Sequence, residues 1–169
     1  PVNDAVNAEA ALNVESGALT IAAGDDALHC DNAMNIGAEN TAGPSITITA
    51  CYEGLEGAAV NIHSGDVSIV STDDCINAAN PSLSGYSYEL NISGGTVVAY
   101  TTSGDGFDSN GDITISGGTV AVWTANAADN SPLDADGTVT ISGGTVLAAG
   151  GSSGMGMNLS AQQPCVTFG

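Results

Sequence analysis

Five short segments set oxygen-bearing side chains at matching positions around one apolar residue: Asp25-Asp26-Ala27-Leu28-His29, Tyr52-Glu53-Gly54-Leu55-Glu56, Asp73-Asp74-Cys75-Ile76-Asn77, Gly104-Asp105-Gly106-Phe107-Asp108 and Asn130-Ser131-Pro132-Leu133-Asp134. Two positions before the apolar residue stand Asp26, Glu53, Asp74, Asp105 and Ser131; one position after it stand His29, Glu56, Asn77, Asp108 and Asp134. Such a recurrence writes two columns of oxygen ligands along one edge of a repetitive structure. Like charges one strand spacing apart repel by about 0.9 kcal/mol per pair even in water. With 19 Asp and Glu against no Lys or Arg, a formal charge of −19, the chain has no ammonium or guanidinium side chain to relieve that repulsion. Calcium can relieve it, because it takes about six to eight oxygens from carboxylates, amides and carbonyls in adaptable geometry. Its candidate ligands are Asp25, Asp26, Glu53, Glu56, Asp73, Asp74, Asn77, Asp105, Asp108 and Asp134. The other reading of the same residues is that Asp and Asn are turn formers bonded to their own backbone. Both readings can hold at different rungs.

The elements that would position these columns are visible in a second repeat. Asn91-Ile92-Ser93-Gly94-Gly95-Thr96-Val97, Thr114-Ile115-Ser116-Gly117-Gly118-Thr119-Val120 and Thr140-Ile141-Ser142-Gly143-Gly144-Thr145-Val146 each read as strand, corner and strand. Fainter copies run from Asn13 to Leu19 and from Asn61 to Val67, and another begins at Asn35-Ile36 and resumes at Ile46 after an insertion containing Pro44. The lead aliphatics fall at 14, 36, 62, 92, 115 and 141. Spacings of this size with variable loops are those of a solenoid. The paired glycines supply backbone angles that a residue with a Cβ resists, which marks the corners. Beyond each corner, alternation points Val67 and Ile69, Val97 and Ala99, Val120 and Val122, and Val146 and Ala148 inward. One rung cannot bury its aliphatic face alone, so rungs must stack. The fold predicted is all-β, a right-handed parallel β-helix of about six rungs occupying residues 1–169 as a single domain.

Composition agrees with a narrow core: 43% of residues are hydrophobic but only 4% aromatic. Nucleic acid is excluded as a partner, since phosphate neutralisation needs basic side chains. No run approaches the about 18 apolar residues of a membrane span. Cys30, Cys51, Cys75 and Cys165 lack C-x-x-C spacing, which argues against a zinc ribbon or redox motif. Two disulfides or buried thiols both remain open, with Cys30 to Cys51 the favoured pair. Beginning at Pro1 without Met, the chain reads as a piece of a longer secreted protein, extracellular or on a cell surface.

The run Gly24-Asp25-Asp26-Ala27-Leu28-His29, the Tyr52–Gly57, Asp73–Ala78 and Gly104–Gly111 segments and the closing Leu147–Met155 together resemble the secreted carbohydrate-binding β-helix domains of anaerobic, polysaccharide-degrading bacteria. The resemblance spans nearly the whole chain. It implies a fold similar to that of polysaccharide lyases, bound calcium, and non-catalytic association with cellulose and pectin-like polymers. The chain departs from such domains in having no Lys or Arg.

A lyase of this fold would need a basic residue to abstract the proton beside a uronate carboxylate, and there is none. Asp73-Asp74-Cys75-Ile76 resembles the Asp-Asp-Cys segment of polygalacturonase-type glycoside hydrolases, in which paired carboxylates act as acid and base. The Gly-His-Gly and Arg-Ile-Lys segments of those enzymes are missing. His29 and His63 are read as ordinary surface residues, and Met155 and Met157 as core fillers. Tyr100 and Trp123 occupy the same repeat position, facing outward on neighbouring rungs where two rings can stack on pyranose faces. Tyr52 is a further ligand-binding candidate, with Tyr86 and Tyr88 secondary to it. The competing function is a structural or adhesive section of a cell-surface fibre. Its basis is that the open ends of a β-helix favour end-to-end self-association, with Cys165–Gly169 read as another strand.

Overall fold

Short aliphatic runs broken by glycine corners give strands of three to six residues in the computed structural model, which describes residues 3–80, 82–125, 130–151 and 158–167. The first rung comprises β1 (Val6–Ala8), β2 (Ala11–Val14) and β3 (Ala18–Ala22), and the second β4 (Leu28–Cys30), β5 (Ala33–Ile36) and β6 (Ser45–Ala50). The third holds β7 (Leu55–Gly57), β8 (Ala59–Ile62) and β9 (Asp66–Ser71), and the fourth β10 (Ile76–Ala78), β11 (Glu89–Ile92) and β12 (Thr96–Thr101). Then come β13 (Phe107–Ser109), β14 (Asp112–Ile115) and β15 (Thr119–Thr124), followed by β16 (Leu133–Ala135), β17 (Val139–Ile141) and β18 (Thr145–Ala149), with β19 (Leu159–Ala161) beyond. No helix occurs among the described residues, and none is long and apolar enough to cross a membrane.

Every third strand pairs in parallel with its counterpart one rung away, producing three sheets. The first, of six strands, runs from β1 to β16; the second, of seven, from β2 to β19; the third, of six, from β3 to β18. The lead aliphatics of the sequence repeat stack in register as Val14, Ile36, Ile62, Ile92, Ile115 and Ile141. Inward side chains from all three sheets form one core in which Leu28, Met34, Ile36, Ile46, Leu55, Ile62, Ile76, Leu90 and Ile92 are fully buried. Phe107 is its one aromatic member among the described residues.

The two glycines of each corner do different work. Gly95, Gly118 and Gly144 adopt φ of 78°, 79° and 78°, a left-handed conformation costly to residues with a Cβ. Gly94, Gly117 and Gly143 have no positive φ. A Cβ on them would instead lie 2.4, 2.3 and 2.2 Å from the carbonyl oxygens of His63, Ser93 and Ser116 on the preceding rung. Only the second glycine is there for backbone angles; the first is there so that corners can stack.

Three further expectations are corrected. The Cys165–Gly169 strand does not form within its described part; the extra strand is β19, which pairs with β17. Val146 is only partly buried and Ala148 is exposed, because among the described residues β18 is the last strand of its sheet and no rung covers it. Cys30 and Cys51 do not pair, and all four cysteines are thiols. Cys30 packs beneath Gly57, where a Cβ would lie 3.0 Å from its Sγ, whereas Cys51 lies in the following corner and turns its Sγ toward the Val70 carbonyl at 3.5 Å. Met155 and Met157 lie outside the described residues.

Candidate functional site

The carboxylate columns sit in and just before the first sheet, whose three-residue strands leave little room between corners. Backbone pairing aligns Asn7, His29, Glu56, Asn77, Asp108 and Asp134 in one column. Their inward neighbours Leu28, Leu55, Ile76, Phe107 and Leu133 anchor each segment in the core. The register also adds a rung that the five quoted segments missed: Val6 pairs with Leu28, so Asp4 takes the position of Asp26. The signal was present in Asp4-Ala5-Val6-Asn7, which matches Asp26-Ala27-Leu28-His29 with a smaller aliphatic.

Two groups of carboxylates converge. Asp26, Glu53 and Glu56 bring ligand atoms within 4.8 Å of one another, as do Asp105, Asp108 and Asp134. Asn77 donates its Nδ2 to Glu53 Oε1 at 3.1 Å and so joins the first group. Buried Glu53 Oε2 and Asn77 Oδ1 have no hydrogen-bond partner. Two buried acceptors without a donor call for positive charge, and the set of carboxylate and amide oxygens suits a hard divalent ion. Burial, reinforced by the hydrogen bond and charge of Glu56, pushes Asp26 up to about 7. Burial and the Glu56 charge push Glu53 up to about 8. Burial is also the first cause for Asp74, pushed up to about 7, and for Asp108, pushed up to about 6 with help from Asp105 and Asp134.

Asp74 and Asp105 do something else with one oxygen. Asp74 Oδ1 accepts the Asp105 amide at 2.6 Å, and Asp105 Oδ1 accepts the Ser131 amide at 2.5 Å. The turn-former reading is therefore realised, but across rungs rather than within a residue's own turn. Asp25 and Asp73 join neither convergent group: Asp25 is exposed, and Asp73 takes a hydrogen bond from the exposed Tyr52 hydroxyl, which pushes that phenol up to about 12.

His29 is not an ordinary surface residue. Its Nδ1 contacts Glu56 Oε2 and lies 3.4 Å from Asp26 Oδ2, while Nε2 lies 3.5 Å from Asp31 Oδ1. Every ion pair among the described residues is made by this ring. Asp31 carried no repeat signal and could not be found from spacing. His63 is half-buried in its corner, with Nδ1 3.1 Å from Ser93 Oγ.

The third sheet presents a different surface. Tyr100 and Trp123 pair in register on β12 and β15, with ring centroids 5.8 Å apart and planes inclined by 31°. Trp123 is 40% exposed, and Val70 and Val98 are exposed beside the pair. A shallow depression farther along the same sheet is lined by Ser45, Thr47, Asp66, Ser68, Thr96 and Val98. Flat apolar rings flanked by hydroxyls form a surface that suits sugar faces. A family model described as carbohydrate-binding domain-containing protein matches residues 1–154. The chain belongs to this carbohydrate-binding family. No curated protein and no solved structure matches the chain. In this carbohydrate-binding domain, then, the acidic edge and the aromatic pair are distinct features on different sheets.

Proposed function

We propose that this carbohydrate-binding domain is a non-catalytic, extracellular module that retains cellulose or pectin-like polysaccharide on the face bearing Tyr100 and Trp123. Calcium at its acidic edge stiffens the coil, which we take as right-handed because parallel crossover connections almost always have that hand. The observation that carries the sugar reading is the outward pair of rings in register, 5.8 Å apart on the third sheet. The calcium reading is supported by two convergent oxygen groups with no Lys or Arg beside them. In the first group Asp26, Glu53 and Glu56 would hold the ion, with Asn77 at its margin; in the second, Asp105, Asp108 and Asp134. Calcium there supplies charge neutralisation, and the protein supplies fixed oxygens on stacked rungs.

The test is a pull-down on insoluble cellulose and on pectate gels, with calcium and with chelator, for the native chain and for Trp123→Ala. Native retention should fall at least about tenfold in the variant, the loss of one stacked ring, while melting stays within about 2 °C, since Trp123 projects from the sheet. Unchanged retention of Trp123→Ala would move the sugar face elsewhere. End-to-end self-association is a second reading, favoured by the inward-facing Val146 and Ala148 of β18, which are left partly buried and exposed among the described residues. Light scattering over rising concentration distinguishes the two: a constant monomer mass removes the fibre reading.

A further inference from the structure

The His29 end of the acidic edge differs in donor chemistry from the other. The group Asp105, Asp108 and Asp134 offers oxygen alone, while Asp4, Asp26 and His29 bring an imidazole nitrogen and carboxylate oxygens within 4.8 Å of one another. Nitrogen donors favour transition-metal dications over calcium, and carboxylates serve both. Ligands about 2.0–2.1 Å from a tetrahedral ion stand about 3.3 Å apart; His29 Nδ1 and Asp26 Oδ2 are separated by 3.4 Å. Glu56 Oε2 stands nearer, in hydrogen-bond contact with the same nitrogen, so the two must part for both to ligate one ion.

Two independent features mark this as a site rather than an acidic cluster. The far ring nitrogen, Nε2, faces Asp31 Oδ1 at 3.5 Å. That is the carboxylate–histidine–metal order in which an outer carboxylate fixes the tautomer and turns the inner nitrogen to the ion. On the inner side, Glu53 Oε2 is buried without a partner in the group that Asp26 and Glu56 complete. A recess lined by His29, Asp31, Glu56, Asn80, Ser82 and Leu83 gives entry from solvent. The wall of that recess is itself braced, since Asn80 Nδ2 donates to the Asp31 carbonyl at 2.9 Å and the Tyr88 hydroxyl donates to the Asn80 carbonyl at 2.7 Å.

We infer that His29 Nδ1, Asp26 and Glu56, with Asp4 beside them, form a binding site for a zinc-class transition-metal dication, oriented by Asp31 and chemically distinct from the all-oxygen group at Asp105, Asp108 and Asp134. The inference rests on the reading of the acidic edge as a cation edge and refines it: at Asp26 and Glu56 the zinc-class ion displaces calcium, which keeps the group at Asp105, Asp108 and Asp134. The ion takes the place of the proton held between His29 and Glu56.

The chain has two histidines, so its imidazole resonances are simple to follow. Chelator-treated protein is saturated with calcium and then titrated with Zn2+, observing both rings by long-range proton–nitrogen NMR and Zn2+ affinity by calorimetry. The expected result is a one-equivalent shift of the His29 Nδ1 resonance toward the metal-bound range with Nε2 protonated, and an unmoved His63. Asp31→Asn should weaken Zn2+ about tenfold or more without altering the number of calcium ions bound, the effect of losing an outer carboxylate. A spectrum in which neither ring responds while calcium binds overturns the inference and leaves the calcium reading standing. Zn2+ binding that calcium abolishes competitively, with His29 unmoved, also overturns it. Failure of calcium to bind, with His29 responding to Zn2+, removes the calcium reading alone.

Discussion

In chelator the acidic edge should reverse the ordinary acid sensitivity of a protein. Asp26, Glu53, Asp74 and Asp108 are pushed up to about 7, 8, 7 and 6, chiefly by burial and then by neighbouring carboxylates. In the unfolded chain the same groups return to 3.8, or 4.5 for glutamate. Between about pH 4 and 8 the folded state therefore binds more protons than the unfolded state, and stability falls as pH rises through that window. His29, whose proton is held more tightly when folded because of Glu56 and Asp31 despite its burial, acts in the same direction. A tenfold change in proton affinity is worth about 1.4 kcal/mol, but these side chains lie at the edge of the coil and are not wholly withdrawn from solvent. Screening reduces the realised share to about 1 kcal/mol per carboxylate, or about 4 kcal/mol for the four. For a chain of this length that corresponds to a melting shift of about 10 °C. Thermal unfolding followed by circular dichroism at pH 5 and pH 8 in chelator should show the higher melting temperature at pH 5. Repeating the pH 8 melt in calcium should recover most of the difference. A chelated protein that melts at the same temperature at both pH values, or higher at pH 8, would refute the reasoning that these carboxylates are crowded in the fold.

The corner glycines give a graded series by chemical melts. Gly117→Ala should cost about 3 kcal/mol, because its Cβ would meet the Ser93 carbonyl at 2.3 Å. Gly17→Ala should cost only about 1 kcal/mol of left-handed strain, as φ is 96° there and nothing lies within 4 Å. Native protein should show one fast thiol toward a disulfide reagent, Cys165, and three slow ones that react only on unfolding: Cys30, Cys51 and Cys75 are buried, and burial pushes Cys51 and Cys75 up to about 12. Asn13, Asn35, Asn61 and Asn91 form a ladder of side-chain amides at 2.8, 3.0 and 3.0 Å. Asn61→Ala in its middle should cost about 1–2 kcal/mol in the same melts, since two hydrogen bonds between side-chain amides are lost at partly buried positions.

What could be read from the sequence was whatever repeats once per rung. The lead aliphatics and the oxygen column after Leu28, Leu55, Ile76, Phe107 and Leu133 were legible because a parallel coil stacks equivalent positions, and the register follows from the alignment. Asp4 was legible in principle and was missed because Val6 is a weaker apolar marker than Leu28. The role of the first corner glycine was not legible. It depends on a carbonyl one rung away, and a sequence pair such as Gly94-Gly95 does not say that the first glycine serves clearance alone while the second serves conformation and clearance together. Asp31 and the braced segment from Asn80 to Tyr88 lie in connections that occur once, so no periodicity announces them. The Cys30 to Cys51 pairing failed for a related reason: proximity in rung number says nothing about which way a side chain points, and these two sulfurs point to different neighbours.

The two readings of the acidic columns, as turn formers and as cation ligands, turn out not to compete for the same atoms. Asp74 gives Oδ1 to the Asp105 amide, and Asp105 gives Oδ1 to the Ser131 amide, so each carboxylate is fastened to the backbone of the next rung by one oxygen. The other oxygen of each remains available to a cation. Fastening fixes the column in register, and register brings Asp105, Asp108 and Asp134 within reach of one ion. The same fastening prevents the column from relaxing its repulsion by splaying apart, because any carboxylate that swings away leaves a rung amide unpaired. An acidic edge tied down in this way has a continuing demand for positive charge. Under the proposed reading a divalent ion would meet that demand at one end, and His29 with its three surrounding carboxylates would govern how it is met at the other.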